Sequence, residues 1–335
     1  MKRILVIGAA GSIGQNLISE LIKTHGKHSV IAALHRSPLP DHLASDVICE
    51  FGFNIRDNQS IRAVFERHAD SIDSVWNLAA PLSVDTAKDP SSAHDVTVGG
   101  MQRVLACMKE FNIKKLYFSD SIGSYGTSSP REGATAQWVM DNPDQNPGSD
   151  YGVQKRQCRE LLHQYADREG FDTRFVIIPG VLHTQPVWGG GTTEYALDAL
   201  AAAVRGEHYV CPVSPDVKLP MIHSSDLIEG MLKLMQSPPS KFPPNCRGTA
   251  LAGFSFTPAE LFEEIKKHYP DFSYSYDPES NPSIANFSVT WPDSLCHWEA
   301  IDRIGFLAST DFPTTVKHII EAHQERQSCN SDVMN

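Results

Sequence analysis

The 335-residue sequence contains few cysteines, no long hydrophobic run and no cluster of basic residues, and each absence excludes a class of protein. The seven cysteines are scattered, odd in number and never in CxxC spacing, which is untypical of a disulfide scaffold or a zinc site. No apolar run approaches the ~20 residues that span a bilayer. Acidic residues outnumber basic ones by 40 to 29, so most of the surface would repel nucleic acid.

The remaining composition is that of an ordinary globular protein, with 41% hydrophobic and 21% charged residues. The chain enters an apolar strand pattern directly after Met1-Lys2-Arg3, and no targeting segment is visible ahead of it. We therefore expect a soluble intracellular protein with free thiols, without a membrane or nucleic acid as partner.

Short apolar runs alternate with helical patterns through the first half of the chain. The strand-like runs lie at 4–7, 29–34, 74–78, 116–119 and 173–178, and the helical patterns include 60–68, 101–111 and 154–166. This alternation predicts an α/β fold of the Rossmann type, with a doubly wound parallel sheet. Glycine and proline become frequent after residue 179, which predicts a smaller C-terminal lobe. Within it, Thr257 and Glu260 form the pattern of a helix capping box.

A glycine-rich segment links the first strand to the first helix. Residues 8–14 read GAAGSIG, which has the spacing GxxGxxG. Glycine at these positions permits a tight turn and close approach of a pyrophosphate to the backbone, while the following helix N-terminus attracts negative charge. The context of strand, loop and amphipathic helix favours a dinucleotide site over a ligand-free turn.

The end of the second strand usually decides between NAD and NADP, because a carboxylate there binds the ribose 2′-hydroxyl. This chain has Leu34, His35 and Arg36 at that point, and none of them is acidic. Arg36 could meet a 2′-phosphate or stack on adenine, so the choice of cofactor stays open from the residues alone.

A YxxxK pattern places Tyr151 and Lys155 on one face of a helix. An ammonium group near a phenol favours the phenolate, which makes Tyr151 a candidate general base for a substrate hydroxyl. Ser121, just after the fourth apolar run of the alternating pattern, can supply a hydroxyl beside the phenol. The order of glycine loop, hydroxyl and YxxxK indicates a nicotinamide-dependent oxidoreductase.

These motifs resemble those of the extended short-chain dehydrogenase/reductase superfamily, in the branch related to UDP-sugar epimerases. Further matching segments in the first half are Asn77 to Ala80, Phe118 to Ser121, Tyr125-Gly126 and Pro179-Gly180. The second half narrows the resemblance to the L-threonine 3-dehydrogenase family of this superfamily. The segments that carry it are GGGTTEYA at 189–196, Leu219 to Met221, Phe256 to Pro258 and Trp291-Pro292.

The resemblance implies NAD-dependent oxidation of the threonine 3-hydroxyl to 2-amino-3-ketobutyrate without a metal. It implies Tyr151 as the base, Lys155 as its electrostatic partner and Ser121 as a hydrogen-bonding group for the reacting hydroxyl. Besides Ser121 and Tyr151, it assigns substrate contacts to Ser83, Gly190, Thr192 and Trp291. It assigns cofactor contacts to Gly8, Gly11, Ser12, Ile13, Gly14, Arg36, Asn54, Ile55, Leu78, Ala79, Ala80, Ser119, Tyr151, Lys155 and Pro179.

The resemblance also implies a division of the chain. Residues 1–178 would form the NAD-binding domain, with 219–236 returning to it, and 179–218 and 237–326 would form the substrate-binding lobe. Residues 327–335 are expected to be a flexible tail. Helices near 91–111 and 151–170 would pair two copies into a homodimer, with a monomer as the alternative. Related eukaryotic enzymes are mitochondrial, so that compartment is a further expectation.

Two positions depart from the family pattern, namely Leu34, where an acid is usual, and Thr97, where Asn is usual. The first bears on NAD selectivity and the second on packing behind Tyr151. Two alternatives to a threonine dehydrogenase stay open. One is a sugar-nucleotide epimerase or reductase, whose lobe would need Arg or Lys for a diphosphate. The other is a cofactor sensor without turnover, for which an intact Tyr151 and Lys155 would be unnecessary.

Overall fold

A computed structural model of the chain describes residues 2–185 and 191–333, with side chains described as far as residue 328. Its strands, in chain order, are β1 (Arg3–Ile7), β2 (Val30–Leu34), β3 (Ile48–Phe51), β4 (Ile72–Asn77), β5 (Lys115–Ser121), β6 (Asp172–Ile178), β7 (Gly180–Leu182), β8 (Tyr209–Cys211), β9 (Leu219–His223), β10 (Gly248–Ala250), β11 (Phe254–Phe256) and β12 (Tyr274–Tyr276).

The helices surround these strands on both faces. They are α1 (Ser12–His25), α2 (Asp41–Ala44), α3 (Asn58–His68), α4 (Ser83–Lys88), α5 (Pro90–His94), α6 (Gly100–Glu110), α7 (Ala136–Asp141), α8 (Asp150–Glu169), α9 (Tyr195–Arg205), α10 (Ser224–Gln236), α11 (Pro258–His268), α12 (Pro282–Ser288), α13 (His297–Ile304) and α14 (Phe312–Val333). A π-helical turn, Asp95–Gly99, joins α5 to α6.

The main sheet has seven parallel strands in the order β10-β6-β5-β4-β1-β2-β3, which confirms the predicted doubly wound α/β fold. Successive side chains of β1 point to opposite faces of the sheet, because side chains alternate in direction along a strand. Leu5 and Ile7 join the core under α3 and α6, whereas Val6 joins the core under α1 and α10. The strand order reverses between β1 and β4, and a crevice for ligands forms at such a point.

The second half of the chain forms two smaller sheets and also contributes strand β10 to the main sheet. Strands β7, β9 and β11 form a three-stranded sheet, and β8 pairs with β12. The capping box at the start of α11 is confirmed, since Thr257 and Glu260 bond each other's backbone N–H groups.

Three features differ from the sequence expectations. Strand β10 pairs with β6 in the main sheet, although residues 237–326 were assigned to the lobe as a whole. Residues 327–333 continue α14 and are helical, whereas a flexible tail was expected from polarity alone. Strand β3 was not predicted, because it is a short edge strand with an exposed Phe51 and no apolar run.

Candidate active site

The glycine segment forms a loop whose close contacts exclude larger side chains. Gly8 has φ +84°, and a Cβ there would lie 3.0 Å from the backbone N of Ala79. A Cβ on Gly14 would lie 2.4 Å from the Gly8 carbonyl oxygen. Helix α1 then begins at Ser12, and its N-cap Gly11 provides no side-chain capping bond. The loop therefore packs α1 tightly on β1 and presents a helix N-terminus that suits a pyrophosphate.

Two cavities lie on either side of this loop, and Gly8, Gly11 and Ala80 line both. The first, of about 460 Å³, is called here the arginine cavity because Arg36 and Arg56 line it. The second, of about 350 Å³, is called the tyrosine cavity because Tyr151 lines it. Two cavities joined at a phosphate-binding loop fit the two halves of a dinucleotide.

The structure brings nearly all sequence-predicted residues to these two cavities. The predicted cofactor residues in the arginine cavity are Gly8, Gly11, Arg36, Asn54, Ile55, Ala79 and Ala80. Those in the tyrosine cavity are Gly8, Gly11, Ser12, Ile13, Gly14, Leu78, Ala80, Ser119, Tyr151, Lys155 and Pro179. The predicted substrate residues Ser83, Ser121, Tyr151, Thr192 and Trp291 line the tyrosine cavity as well. Gly190 lies outside the described residues.

Helix α8 positions Tyr151 and Lys155 within its first two turns. Its N-cap Ser149 accepts a hydrogen bond from the N–H of Gly152 over 3.1 Å, which fixes where the helix starts. The Lys155 ammonium lies 5.4 Å from the centre of the Tyr151 ring. It donates to the carbonyl oxygen of Ser119 over 2.7 Å, so β5 holds the lysine beside the phenol.

Two glycines let Ser121 approach Tyr151. A Cβ on Gly123 would lie 3.1 Å from Cδ1 of Tyr151 and 3.6 Å from Oγ of Ser121, so both side chains border the space that this glycine leaves. A Cβ on Gly152 would lie 1.9 Å from the Gly123 carbonyl oxygen. Any larger residue at 152 would therefore push α8, and the tyrosine on it, away from Ser121.

A buried ion pair lies directly behind these groups. Arg159, two turns after Tyr151 on α8, is paired with the Asp120 carboxylate, and both side chains are almost fully buried. Asp120 also accepts from the N–H of Ser121 over 2.8 Å, while Arg159 donates to the Ser124 hydroxyl over 3.0 Å. The pair therefore ties α8 to the end of β5, where the candidate catalytic residues stand.

Helix α4 and the turn before α9 meet at the other wall of the tyrosine cavity. The Oγ of Ser83 lies 2.9 Å from Oγ1 of Thr192 and accepts from the Thr192 N–H over 3.1 Å. Next to them, a Cβ on Gly180 would lie 2.8 Å from Cβ of Thr193. Gly180 thus allows the threonine-containing turn to lie against the strand that follows the predicted Pro179.

Sequence reasoning missed His183, although it lines the tyrosine cavity. Burial, with a smaller effect from nearby His223, lowers the pKa of His183 to about 4, so the imidazole is neutral near pH 7. Its Nδ1 and the Nε1 of Trp291 are both buried without a hydrogen-bond partner among the described residues. Unpaired buried polar atoms are uncommon, and two beside one cavity indicate a polar ligand.

The other lining residues without a sequence prediction are mostly backbone neighbours of the motifs. In the tyrosine cavity they are Leu82, Asp120, Ile122, Ile178, Gly180, Val181, Gly191, Thr193 and Glu194. In the arginine cavity they are Ile7, Ala9, Ala10, Ala33, His35, Ser37, Phe53, Arg56, Pro81 and Val96. Proximity in sequence to a predicted residue was the available signal for most of them.

Within the described ranges, no three His, Cys, Asp or Glu side chains come together as a group that could hold a metal ion. No helix across the same ranges combines the length and apolarity needed to cross a membrane. The six cysteines with described side chains are free thiols, as expected from their spacing.

The parallel sheet, the glycine loop at its switch point and the two cavities define a Rossmann-type dinucleotide-binding protein. The model of the NAD dependent epimerase/dehydratase family matches residues 4–245, and the chain belongs to that family. It is 31% identical over 333 residues to a Staphylococcus aureus (strain USA300) protein described as an uncharacterized epimerase/dehydratase, with 99% of this chain and all of that protein covered.

Solved structures with the same architecture include L-threonine dehydrogenases. A monomeric L-threonine 3-dehydrogenase from a metagenome database has a TM-score of 0.86 at 29% identity, covering 96% of this chain and 99% of that chain. The Clostridium difficile enzyme has a TM-score of 0.86 at 28% identity, covering 97% and 98%. Thermotoga maritima UDP-glucose 4-epimerase, at 19% identity and a TM-score of 0.80 over 97% and 99%, shares the fold. The family match and the similarity to the L-threonine dehydrogenases support an oxidoreductase-type enzyme with a nicotinamide cofactor.

Proposed function

We propose that this chain oxidises L-threonine at the 3-hydroxyl to 2-amino-3-ketobutyrate, with a nicotinamide cofactor as the acceptor, which the family resemblance implies to be NAD. One observation carries the proposal. Tyr151, Ser121 and Lys155 line the same cavity as the hydrogen-bonded Ser83–Thr192 pair. A cavity with a candidate base at one wall and small hydroxyl groups at another suits a small hydroxy amino acid.

Three residues take part in removing the proton from the substrate hydroxyl. Tyr151 takes the proton of the substrate hydroxyl, and Ser121 hydrogen-bonds the same oxygen. Lys155 stabilises the negative charge on the phenol oxygen from its position beside the ring, where the Ser119 carbonyl holds it. The bound nicotinamide supplies the acceptor for the hydride that leaves the substrate carbon.

The opposite wall suits the amino-acid part of threonine. Ser83 and Thr192 offer hydroxyl groups, and Glu194 lines the same cavity. Lys155 is the single lysine or arginine among the described residues that line it. A diphosphate ligand would need several such cations, so this lining favours a small zwitterion over a sugar nucleotide.

The reaction is tested by reduction of NAD and of NADP at 340 nm with L-threonine, alongside L-serine, L-allo-threonine and a UDP-sugar. We expect turnover with L-threonine above the other three substrates. Turnover with the UDP-sugar instead would establish the epimerase or reductase alternative. Turnover with neither, in a protein that still binds cofactor, would support the sensor alternative and reject the proposal.

The base is tested by Tyr151→Phe, with Tyr165→Phe on the same helix as the matched control. Loss of the phenol should lower kcat by roughly 100-fold or more, as expected for a general base. Cofactor binding should persist, because the ring and Lys155 remain. Tyr165 lines neither cavity, so its variant should keep wild-type turnover. A fully active Tyr151→Phe protein would show that another group takes the proton.

A further inference from the structure

The arginine cavity contains the features that distinguish the two nicotinamide cofactors. The discriminating position follows β2, about 20 residues beyond the glycine loop. Leu34 ends that strand with its side chain buried, so it presents no polar group to a ribose. The cavity is lined instead by the three residues that follow it, namely His35, Arg36 and Ser37.

The charged side chains that line this cavity are arginines. Arg36 and Arg56 line it, and no Asp or Glu is among the described residues that form it. Arg36 is exposed and forms no ion pair with any described residue. Arg56 is held by Asp95 over 2.7 Å, and that carboxylate also pairs with Arg103 over 2.6 Å. Asp95 therefore anchors Arg56 at the cavity while its own charge is shared between two guanidinium groups.

We propose that the arginine cavity binds an adenosine whose ribose carries a 2′-phosphate, so that the preferred cofactor is NADP(H). Arg36 is the principal ligand of that phosphate, with the Ser37 hydroxyl and Arg56 as supporting donors. Guanidinium groups bind phosphate by charge-assisted hydrogen bonds. A free ribose 2′-hydroxyl would meet no carboxylate among the described residues that line this cavity, so NAD would lack the acceptor that usually selects it.

The proposal departs from the NAD that the resemblance implies, and it rests on the proposed function only for the use of a nicotinamide cofactor. Calorimetry without substrate therefore tests it separately. The ligands are NADP, NAD, 2′-AMP and 5′-AMP. We expect NADP and 2′-AMP to bind roughly 10- to 100-fold more tightly than NAD and 5′-AMP, as expected for one or two charge-assisted bonds. The preference should decrease as salt rises.

The variant Arg36→Gln should weaken binding of NADP and 2′-AMP by about 10-fold or more while leaving NAD within about twofold. Arg168→Gln is the matched control, since Arg168 is exposed on α8 and lines neither cavity.

NAD binding as tightly as NADP in the wild type would overturn the proposal. Equal weakening of both cofactors by Arg36→Gln would overturn it too, because Arg36 would then stack on the adenine that both share. Inactivity on threonine with the NADP preference intact would reject only the proposed substrate.

Discussion

The Oγ of Ser83 and the Oγ1 of Thr192 lie 2.9 Å apart, although 109 positions separate them in the chain. This contact joins helix α4, which follows strand β4, to the turn that precedes α9. Both side chains are almost fully buried and both line the tyrosine cavity. The wall that would bind the amino-acid substrate is therefore built from the two halves of the chain together.

Removing one of these hydroxyls should weaken substrate binding more than it slows the chemical step. For Ser83→Ala we expect KM for L-threonine to rise about 10-fold, which corresponds to the loss of one buried hydrogen bond. Thr86→Val is the control, because Thr86 is buried on the same helix and its hydroxyl has no hydrogen-bond partner in the part of the chain that the structure describes. Equal KM values in the two variants would show that Ser83 does not contact the substrate. Steady-state kinetics at saturating cofactor measure the effect.

His183 should make the folded protein less stable in mild acid. Its pKa is about 4 when folded, below the ordinary value of 6.5, so the unfolded chain binds more protons between these values. Stability therefore falls as pH drops below 6.5, and the loss levels off near pH 4. From pH 7.5 to pH 5 the loss due to this side chain is about 2 kcal/mol.

Urea unfolding at the two pH values measures that loss. His183→Gln should reduce the difference between them by about this amount, whereas His25→Gln, exposed at the end of α1, should retain the wild-type difference. An unchanged difference in His183→Gln would mean that the imidazole titrates normally and is not enclosed by the cavity wall.

Breaking the Asp120–Arg159 pair should strongly lower the free energy of unfolding, because the side chain that remains would carry an unpaired charge in the protein interior. Asp120→Leu or Arg159→Met should each cost about 3–5 kcal/mol of unfolding free energy. The double variant Asp120→Leu with Arg159→Met should lose less than the sum of the single variants. The exposed pair Lys23–Glu20 is the control, with an expected contribution below about 1 kcal/mol. Additive losses at 120 and 159 would show that the two side chains do not interact.

A homodimer built from α6 and α8 stays a prediction of the resemblance, as does a mitochondrial location. Gln102 and Lys109 of α6 are exposed, so an interface on this helix would be polar. One structurally similar L-threonine 3-dehydrogenase is described as monomeric.

Sedimentation velocity distinguishes the two states. We expect the mass of two chains, and Ala106→Arg, at an exposed position of α6, should convert it to one. A single-chain mass in the wild type would reject the predicted homodimer.

Local patterns made the glycine loop, the Tyr151–Lys155 pair and the alternating strands predictable from the sequence. Each of these depends on residues within one turn or one strand, where spacing determines the geometry. The approach of Ser121 to Tyr151 was predicted from chain order and resemblance. Its structural cause, the absence of a side chain at Gly123 and Gly152, was visible only in the fold.

Contacts between distant segments were not predictable in the same way. Asp120 directly precedes the predicted Ser121, but its pairing with Arg159 requires knowing that α8 crosses the end of β5. His183 was overlooked because a single histidine after a glycine turn has no characteristic spacing. The extension of α14 through residues 327–333 was not predictable, because polar composition is typical of a flexible tail, whereas these residues continue a helix that begins at Phe312.

The position of β10 beside β6 has a consequence for the synthesis and engineering of this protein. The nucleotide-binding half cannot complete its sheet until the ribosome has made residues 248–250, which lie well inside the other half of the chain. A nascent chain that stops after β9 would expose the unpaired edge of β6, and such edges invite wrong pairing with other chains. Chimeras that exchange the second half of the chain between relatives must therefore carry an edge strand that pairs with β6. Without such a strand, the sheet of the nucleotide-binding half would have an unpaired edge.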